Sequence, residues 1–287
     1  MTRRQLAASA IAIVCLCSAG GAFAVYAAEA PVAAPTAPTP PPSLAAHGDI
    51  ADTLKASGQF TILAKALDQT NLTSVLKRPG PMTLIDTLAD GYYGDRVKMA
   101  FAFAELLNQE AKDLEKLGVD VVQFDEPAFN VYLNEVSDWG VPALEKAAEG
   151  LKCTTAVHVC YGYGIEANNK WKETLGESWR QYEQTFPALD KSKIQQVSLE
   201  VRNSHVPPEL MKLLKTKTVL VGCIDVASDK VDTPEEVAAT LKLATQFVDP
   251  ERIQACTNCG MAPMTLATAY GKLRSLAQGA ALARKTL

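Results

Sequence analysis

The feature that most restricts how this chain can fold is a repeated alternation of apolar strand patterns and amphipathic helix patterns from residue 80 to residue 287. The clearest helix start is Thr233-Pro234-Glu235-Glu236, in which threonine is the cap, proline takes the first helical position and glutamate follows three residues after the cap. Repeated strand-helix units fold as a parallel sheet covered by helices. The sequence therefore predicts an α/β protein.

Five strands and six helices are predicted in this region. The strands cover residues 119–124, 155–160, 194–201, 219–226 and 253–256, and the helices cover residues 96–117, 142–151 and 171–186, a segment after Pro207-Pro208, a segment that starts at Thr233, and a closing segment after Pro263. Strands and helices of this length, taken in turn, are typical of a TIM-type (βα) barrel.

Polar residues whose side chains can bind a metal or take part in catalysis fall at or just past the ends of the predicted strands. Successive members lie 25 to 42 residues apart, near the ~31 expected when about 250 residues form eight units; they are Asp125, His158 with Cys160, Glu200, Asp225 and Cys259. In a parallel barrel the carboxyl ends of the strands share one rim, which is where barrel enzymes place their active sites. We therefore expect these side chains at one rim.

His158 and Cys160 lie two residues apart on a predicted strand, so their side chains point to the same face. Together with Glu200 and Cys259 they offer one nitrogen, one oxygen and two sulfur atoms, a set that suits tetrahedral zinc. Other interpretations stay open for single members: buried residues of the core for the first pair, a solvated carboxylate for Glu200, and a redox or disulfide pair for Cys256 and Cys259. The set as a whole favours a metal site.

The segment before residue 80 has a different composition. Residues 1–28 predict an export signal, with Arg3 and Arg4 before an apolar run and the small-residue cleavage site Ala22-Phe23-Ala24. Residues 29–47 are rich in alanine and proline and predict an extended linker, and residues 48–79 predict a small helical segment. The expected location is periplasmic or extracellular if the signal works, and cytoplasmic if it does not.

Charge and cysteine content narrow the class of protein further. The net charge is −4 and no basic run stands out, which argues against a nucleic-acid partner and favours small molecules. Two of the seven cysteines lie in the predicted signal, and the odd number that remains argues against a complete disulfide framework.

From Gly80 to Leu287 the sequence resembles the catalytic barrel of cobalamin-independent methionine synthase. The resemblance rests on an ordered set of motifs: Gly80-Pro81-Met82-Thr83, Gln123-Phe124-Asp125-Glu126-Pro127-Ala128, His158-Val159-Cys160-Tyr161, Ser198-Leu199-Glu200, Gly222-Cys223-Ile224-Asp225-Val226 and Asn258-Cys259-Gly260. Residues 48–79 with Arg78-Pro79-Gly80 resemble the opening of a fasciclin domain.

The resemblance implies a zinc-dependent methyltransferase that forms methionine from homocysteine, with methyl-folate or a methyl-corrinoid as donor. It implies that His158, Cys160, Glu200 and Cys259 hold the zinc and that Asp125, with Glu126 beside it, binds the amino-acid substrate. The competing interpretation is an exported, non-catalytic protein that retains a degenerate zinc-binding barrel and serves adhesion.

Three departures from the family pattern are expected to matter. The strands that would precede Gly80, including a Gly-Ser-Phe-Pro-type segment, have no match, so the barrel is predicted to lack its first two or three strands. Ala227 stands where the family has a proton-donating histidine, and Val131 stands where it has a folate-binding glutamate. An incomplete parallel barrel leaves exposed edges, which the N-terminal segment or a second chain would have to cover.

Overall fold

The computed structural model describes residues 13–15, 90–163, 166–262 and 264–286. The predicted linker, the fasciclin-like segment and the Gly80 motif lie outside the described residues. So does the predicted export signal, apart from the three residues 13–15.

The core of the fold is a parallel sheet of six strands that follow one another in chain order. The strands are β1 (Ile13–Cys15), β2 (Val121–Asp125), β3 (Thr154–His158), β4 (Gln196–Glu200), β5 (Thr218–Ile224) and β6 (Ile253–Thr257). Each of β2 to β5 pairs in parallel with the next strand, as repeated strand-helix units require.

Helices of different lengths connect the strands. They are α1 (Arg96–Lys116), α2 (Leu133–Glu135), α3 (Val141–Ala147), α4 (Glu166–Glu173), α5 (Tyr182–Lys191), α6 (Pro234–Ala244) and α7 (Leu266–Thr286), with 3-10 turns at Pro127–Asn130, Pro208–Leu213 and Pro250–Arg252 and a π-helical turn at Val136–Gly140. None of the helices in the described part of the chain is long and apolar enough to cross a membrane.

The two faces of the sheet carry different side chains. Val122, Val157, Val197 and Val221 are fully buried in one large core between the sheet and the helices. Burying such a side chain stabilises the fold by roughly 1.5–3 kcal/mol. On the opposite face the described residues form a small apolar group, made of Val121, Ala156 and Leu220 with Cys256 at its border. Asp125, His158 and Glu200, which end β2, β3 and β4, share this second face because strand side chains alternate.

The sheet is an open arc within the described residues. β6 pairs with β5, and β1 pairs with β2 through Ile13 opposite Val121 and Cys15 opposite Gln123. Three residues of the predicted export signal thus lie at the sheet edge where a preceding barrel strand belongs. The described strands agree with the predicted α/β class and with a barrel that is not closed.

Two predicted helices differ from the structure. The helix predicted at 171–186 is two helices, α4 and α5, because Gly176 between them has a φ of +72°, which a helix does not allow. The segment after Pro207-Pro208 is a 3-10 turn of six residues rather than an α-helix. The other predicted elements are present with shifts of a few residues at their ends.

The predicted capping box at the start of α6 is confirmed. The Thr233 side chain accepts a hydrogen bond from the Glu236 N–H at 3.2 Å, and the Glu236 carboxylate accepts one from the Thr233 N–H at 2.8 Å. This pair satisfies two backbone donors that a helix otherwise leaves without a partner.

Candidate metal centre

The described strands bring the predicted site residues to one edge of the sheet. Asp125, His158 and Glu200 are the last residues of β2, β3 and β4, Asp225 follows β5, and Cys259 lies two residues beyond β6. Since all these strands are parallel, their carboxyl ends meet at the same edge, and the predicted common rim is observed.

Three of these residues form a compact group at that edge. One ligand atom each from His158, Cys160 and Cys259 lies within 4.8 Å of the other two. The two Sγ atoms are 3.4 Å apart, and both cysteines are free thiols rather than a disulfide. Two sulfur ligands of tetrahedral zinc, each at ~2.3 Å from the metal, would be about 3.8 Å apart. The observed spacing and the donor set therefore fit zinc.

The imidazole of His158 is oriented by the neighbouring strand. Ser198 lies opposite His158 in the register of β3 and β4, and its Oγ hydrogen-bonds to Nδ1 of the ring. With Nδ1 occupied in this way, Nε2 is the ring nitrogen that can bind a metal ion. A hydrogen bond to the second ring nitrogen is the usual way in which proteins orient a metal-binding histidine.

The two thiols differ in acidity because they share a proton. The hydrogen bond between the two thiols raises the pKa of Cys160 well above its ordinary value, and burial raises it further. The same hydrogen bond, with a smaller contribution from His158, holds the pKa of Cys259 well below its ordinary value. Cys259 is thus the thiolate of the pair, and metal binding would release the remaining proton from Cys160.

Glu200 is completely buried beside the three-residue group. One carboxylate oxygen accepts a hydrogen bond from the Tyr161 N–H at 2.8 Å and the other accepts one from the Tyr163 hydroxyl at 2.6 Å. Burial raises the pKa of Glu200 to about 7, and its charge contributes to the raised pKa of Cys160. Each oxygen retains acceptor capacity, so its predicted role as the fourth ligand stays a prediction.

Comparison with known proteins identifies the family. The sequence model of the family "Cobalamin-independent synthase, Catalytic domain" matches residues 32–282. This chain belongs to that family. The match includes the segment from residue 32 to residue 79 as well as the part that follows Gly80.

Individual methionine synthases agree with this assignment. Over 210 residues, or 72% of the chain, it is 31% identical to the methionine synthase of Sulfurisphaera tokodaii and 30% identical to that of Sulfolobus acidocaldarius. The chain spans 56% of the length of each of these relatives.

Solved structures show the same fold. A B12-independent methionine synthase from Shewanella sp. W3-18-1, solved with selenomethionine, is 55% identical with a TM-score of 0.69 over 77% of this chain and 67% of its own. A putative vitamin-B12 independent methionine synthase from Listeria monocytogenes, at 14% identity and a TM-score of 0.50, covers 78% of this chain and 69% of its own and supports the fold alone. These neighbours confirm the predicted TIM-type class.

The two acidic residues assigned to the substrate by family resemblance lie at the end of β2. Asp125 is half-buried, its Oδ1 accepts a hydrogen bond from Gln123 Nε2 at 3.1 Å, and its negative charge contributes to the pKa of both cysteines. Glu126 is also half-buried, and its N–H donates to the His158 carbonyl at 2.8 Å. Both residues therefore border the candidate metal centre.

Sequence reasoning assigned no role of their own to three residues that support the centre: Ser198, Tyr163 and Asn258. Ser198 was accessible from pattern alone, since it precedes Glu200 by two residues and must share its strand face. Tyr163 lies in a loop and Asn258 acts through backbone groups of other strands, so neither carries a periodic signal.

Proposed function

We propose that this chain is a zinc-dependent methyltransferase that transfers a methyl group to the thiol of homocysteine and forms methionine. The observation that carries the proposal is the group of His158, Cys160 and Cys259 at the rim of the sheet. The names of its relatives support it, as does the Shewanella structure, which holds selenomethionine, the selenium analogue of the proposed product.

Zinc would be held by Nε2 of His158 and by the Sγ atoms of Cys160 and Cys259, with the Glu200 carboxylate as fourth ligand. When bound, zinc lowers the pKa of a coordinated substrate thiol so that the sulfur is a nucleophilic thiolate near neutral pH. Two thiolate ligands and a carboxylate make the site electron-rich, which favours alkylation of a sulfur over hydrolysis.

The chain's own acidic residues would orient the substrate. Asp125 borders the centre, and its carboxylate would accept a charge-assisted hydrogen bond from the homocysteine ammonium group. Glu126 lies beside it and would extend the same acidic surface. Fixing the amino acid at its ammonium group would align its sulfur with the metal ligands, which is the positioning that a displacement reaction needs.

The methyl donor, the location and a second subunit belong to the same proposal. Methyl-folate and a methyl-corrinoid are the two candidate donors. At the position of the family's proton-donating histidine, Ala227 only donates its backbone N–H to the Asp225 side chain, so proton transfer in this chain would use another group.

We place the protein outside the cytoplasm if its N-terminal signal is active, and a second chain could cover the sheet edges.

The test is to measure zinc content and methionine formation from homocysteine with each donor. The wild type is expected to hold one zinc per chain and to form methionine, whereas His158→Ala and Cys259→Ser are expected to form no methionine and to bind zinc much more weakly. Cys153→Ser, which changes a half-buried cysteine outside the group, is the matched control and should retain both. Full zinc with no product from either donor would favour the alternative, an exported non-catalytic zinc-binding protein.

A further inference from the structure

Asn258, the residue before Cys259, connects three strand ends. It is 1% exposed, and its own N–H donates to the Ile224 carbonyl at the end of β5 at 3.0 Å. Its side chain reaches the end of β4, where Oδ1 accepts from the Val201 N–H at 3.2 Å and Nδ2 donates to the Arg202 carbonyl at 2.6 Å. One buried amide therefore ties the end of β6 to its two preceding strands.

The side chain of Asn258 can reach β4 only because β5, which lies between, has a glycine at the crossing point. A Cβ on Gly222 would lie 2.3 Å from Asn258 Oδ1 and 2.7 Å from the Leu199 carbonyl oxygen, closer than atoms can approach. The register of β5 and β6 also shifts between Gly222 and Ile224. The absence of a side chain at Gly222 thus opens the path that the amide occupies.

The residues on either side of this contact belong to the metal centre. Val201, which donates to Asn258, directly follows Glu200, and Cys259 directly follows Asn258. We propose that Asn258, seated over Gly222, is a positioning residue that fixes the Sγ of Cys259 against Cys160 and beside the Glu200 carboxylate. The inference deepens the metal centre on which the proposed function rests, and it concerns geometry that exists before any metal binds.

The chemistry of the position explains why an amide is needed there. The end of β4 presents one backbone donor and one backbone acceptor, and an asparagine side chain satisfies both at once. An aspartate of the same shape retains the acceptor but brings an oxygen against the Arg202 carbonyl. An alanine satisfies neither group and frees the segment that carries Cys259.

The experiment compares three variants with the wild type in two assays. Asn258→Ala removes both contacts, and Asn258→Asp removes one and retains the shape in case the alanine variant does not fold. Asn108→Ala is the matched control, because Asn108 is a buried asparagine whose amide also donates to two backbone carbonyls, those of Ala147 and Glu149, but joins α1 to the end of α3 outside the sheet. The assays are zinc affinity by chelator competition and, in metal-free protein, the yield of the Cys160–Cys259 disulfide after mild oxidation with diamide, measured by peptide mapping.

Both Asn258 variants are expected to bind zinc about 10- to 100-fold more weakly, the usual effect of losing a residue that orients a metal ligand. They should also form the Cys160–Cys259 disulfide several-fold more slowly, whereas Asn108→Ala matches the wild type in both assays. Wild-type behaviour of the Asn258 variants, or an equal loss in Asn108→Ala, would overturn the inference. The disulfide assay needs neither zinc nor turnover, so it tests the positioning even if the proposed methyl transfer is wrong.

Discussion

The Sγ atoms of Cys160 and Cys259 lie 3.4 Å apart although the two residues are separated by 99 positions in the chain. They follow β3 and β6, and two further strands lie between. Three strand spacings in a flat sheet span about 14 Å. The contact therefore depends on the curvature of the sheet and on the segments that lean over its end, and an open arc of strands is sufficient to produce it.

The unequal acidity of the cysteines predicts selective alkylation of the metal-free protein. Near pH 7, iodoacetamide should modify Cys259 first, because the hydrogen bond with Cys160 holds the pKa of Cys259 well below its ordinary value and the thiolate is the reactive form. Cys153, whose pKa burial raises to about 11, is the internal control and should react slowly. Peptide mapping over time measures both rates, and equal rates at the two sites would contradict the assignment.

The Ser198–His158 hydrogen bond predicts a loss of metal affinity when the hydroxyl is removed. Ser198→Ala should weaken zinc binding by about 10- to 100-fold, because the imidazole is no longer held with Nε2 available to the metal. Ser192→Ala removes a buried hydroxyl that donates to the Leu189 carbonyl at the end of α5, away from the group, and should leave zinc affinity unchanged. Chelator competition measures both, and equal affinities for the two variants would exclude this role.

The burial of Glu200 predicts a pH-dependent stability in the metal-free protein. Its pKa rises from 4.5 to about 7 on folding, so the folded state holds the proton more tightly, and stability is lost as pH rises through this window. Between pH 5 and pH 8 the wild type should lose about 2–3 kcal/mol more than Glu200→Gln, which cannot ionise. Urea unfolding at both pH values measures the difference, and parallel pH profiles for the two proteins would be inconsistent with a buried, protonated carboxyl.

Two lysine substitutions are expected to lower the free energy of unfolding by different amounts, because one breaks a buried ion pair and the other an exposed one. Lys272 in α7 is fully buried, and its Nζ donates to Asp232 Oδ2 at 3.0 Å and to the Asp225 carbonyl at 2.8 Å. Lys272→Met should cost about 3 kcal/mol in the free energy of unfolding, because among the described residues it leaves the buried Asp232 carboxylate with Arg202 as its one remaining cationic partner. Lys170→Met breaks an exposed pair with Glu166 and should cost less than ~1 kcal/mol. Chemical denaturation distinguishes the two, and a small loss for Lys272→Met would show that the pair is dispensable.

The sequence contained enough information for the strand order and for most of the site. His158, Asp125 and Glu200 each end an apolar run, and parallel strands bring such ends together regardless of the details of packing. The capping box at Thr233 was equally readable, because it depends on residues three apart in the chain. Local patterns of this kind can be predicted from the sequence because they do not depend on how distant segments pack.

Long-range contacts were not readable from the sequence. The break between α4 and α5 at Gly176 could not be predicted, because a single glycine inside a helical pattern is often tolerated. Its positive φ is visible only in the structure. Nothing in the order of residues indicates that Tyr163 returns to Glu200 or that Asn258 crosses Gly222, because these contacts join segments that only the curved sheet brings together. The predicted linker and fasciclin-like segment lie outside the described residues and stay predictions.

The most direct test of the account is X-ray absorption at the zinc edge on the purified, zinc-loaded protein. We expect two sulfur neighbours at ~2.3 Å together with nitrogen and oxygen neighbours at ~2.0–2.2 Å, and the loss of one sulfur in Cys259→Ser. A spectrum without sulfur neighbours, or one that is identical in Cys259→Ser, would contradict the assignment of His158, Cys160 and Cys259 to a single metal ion.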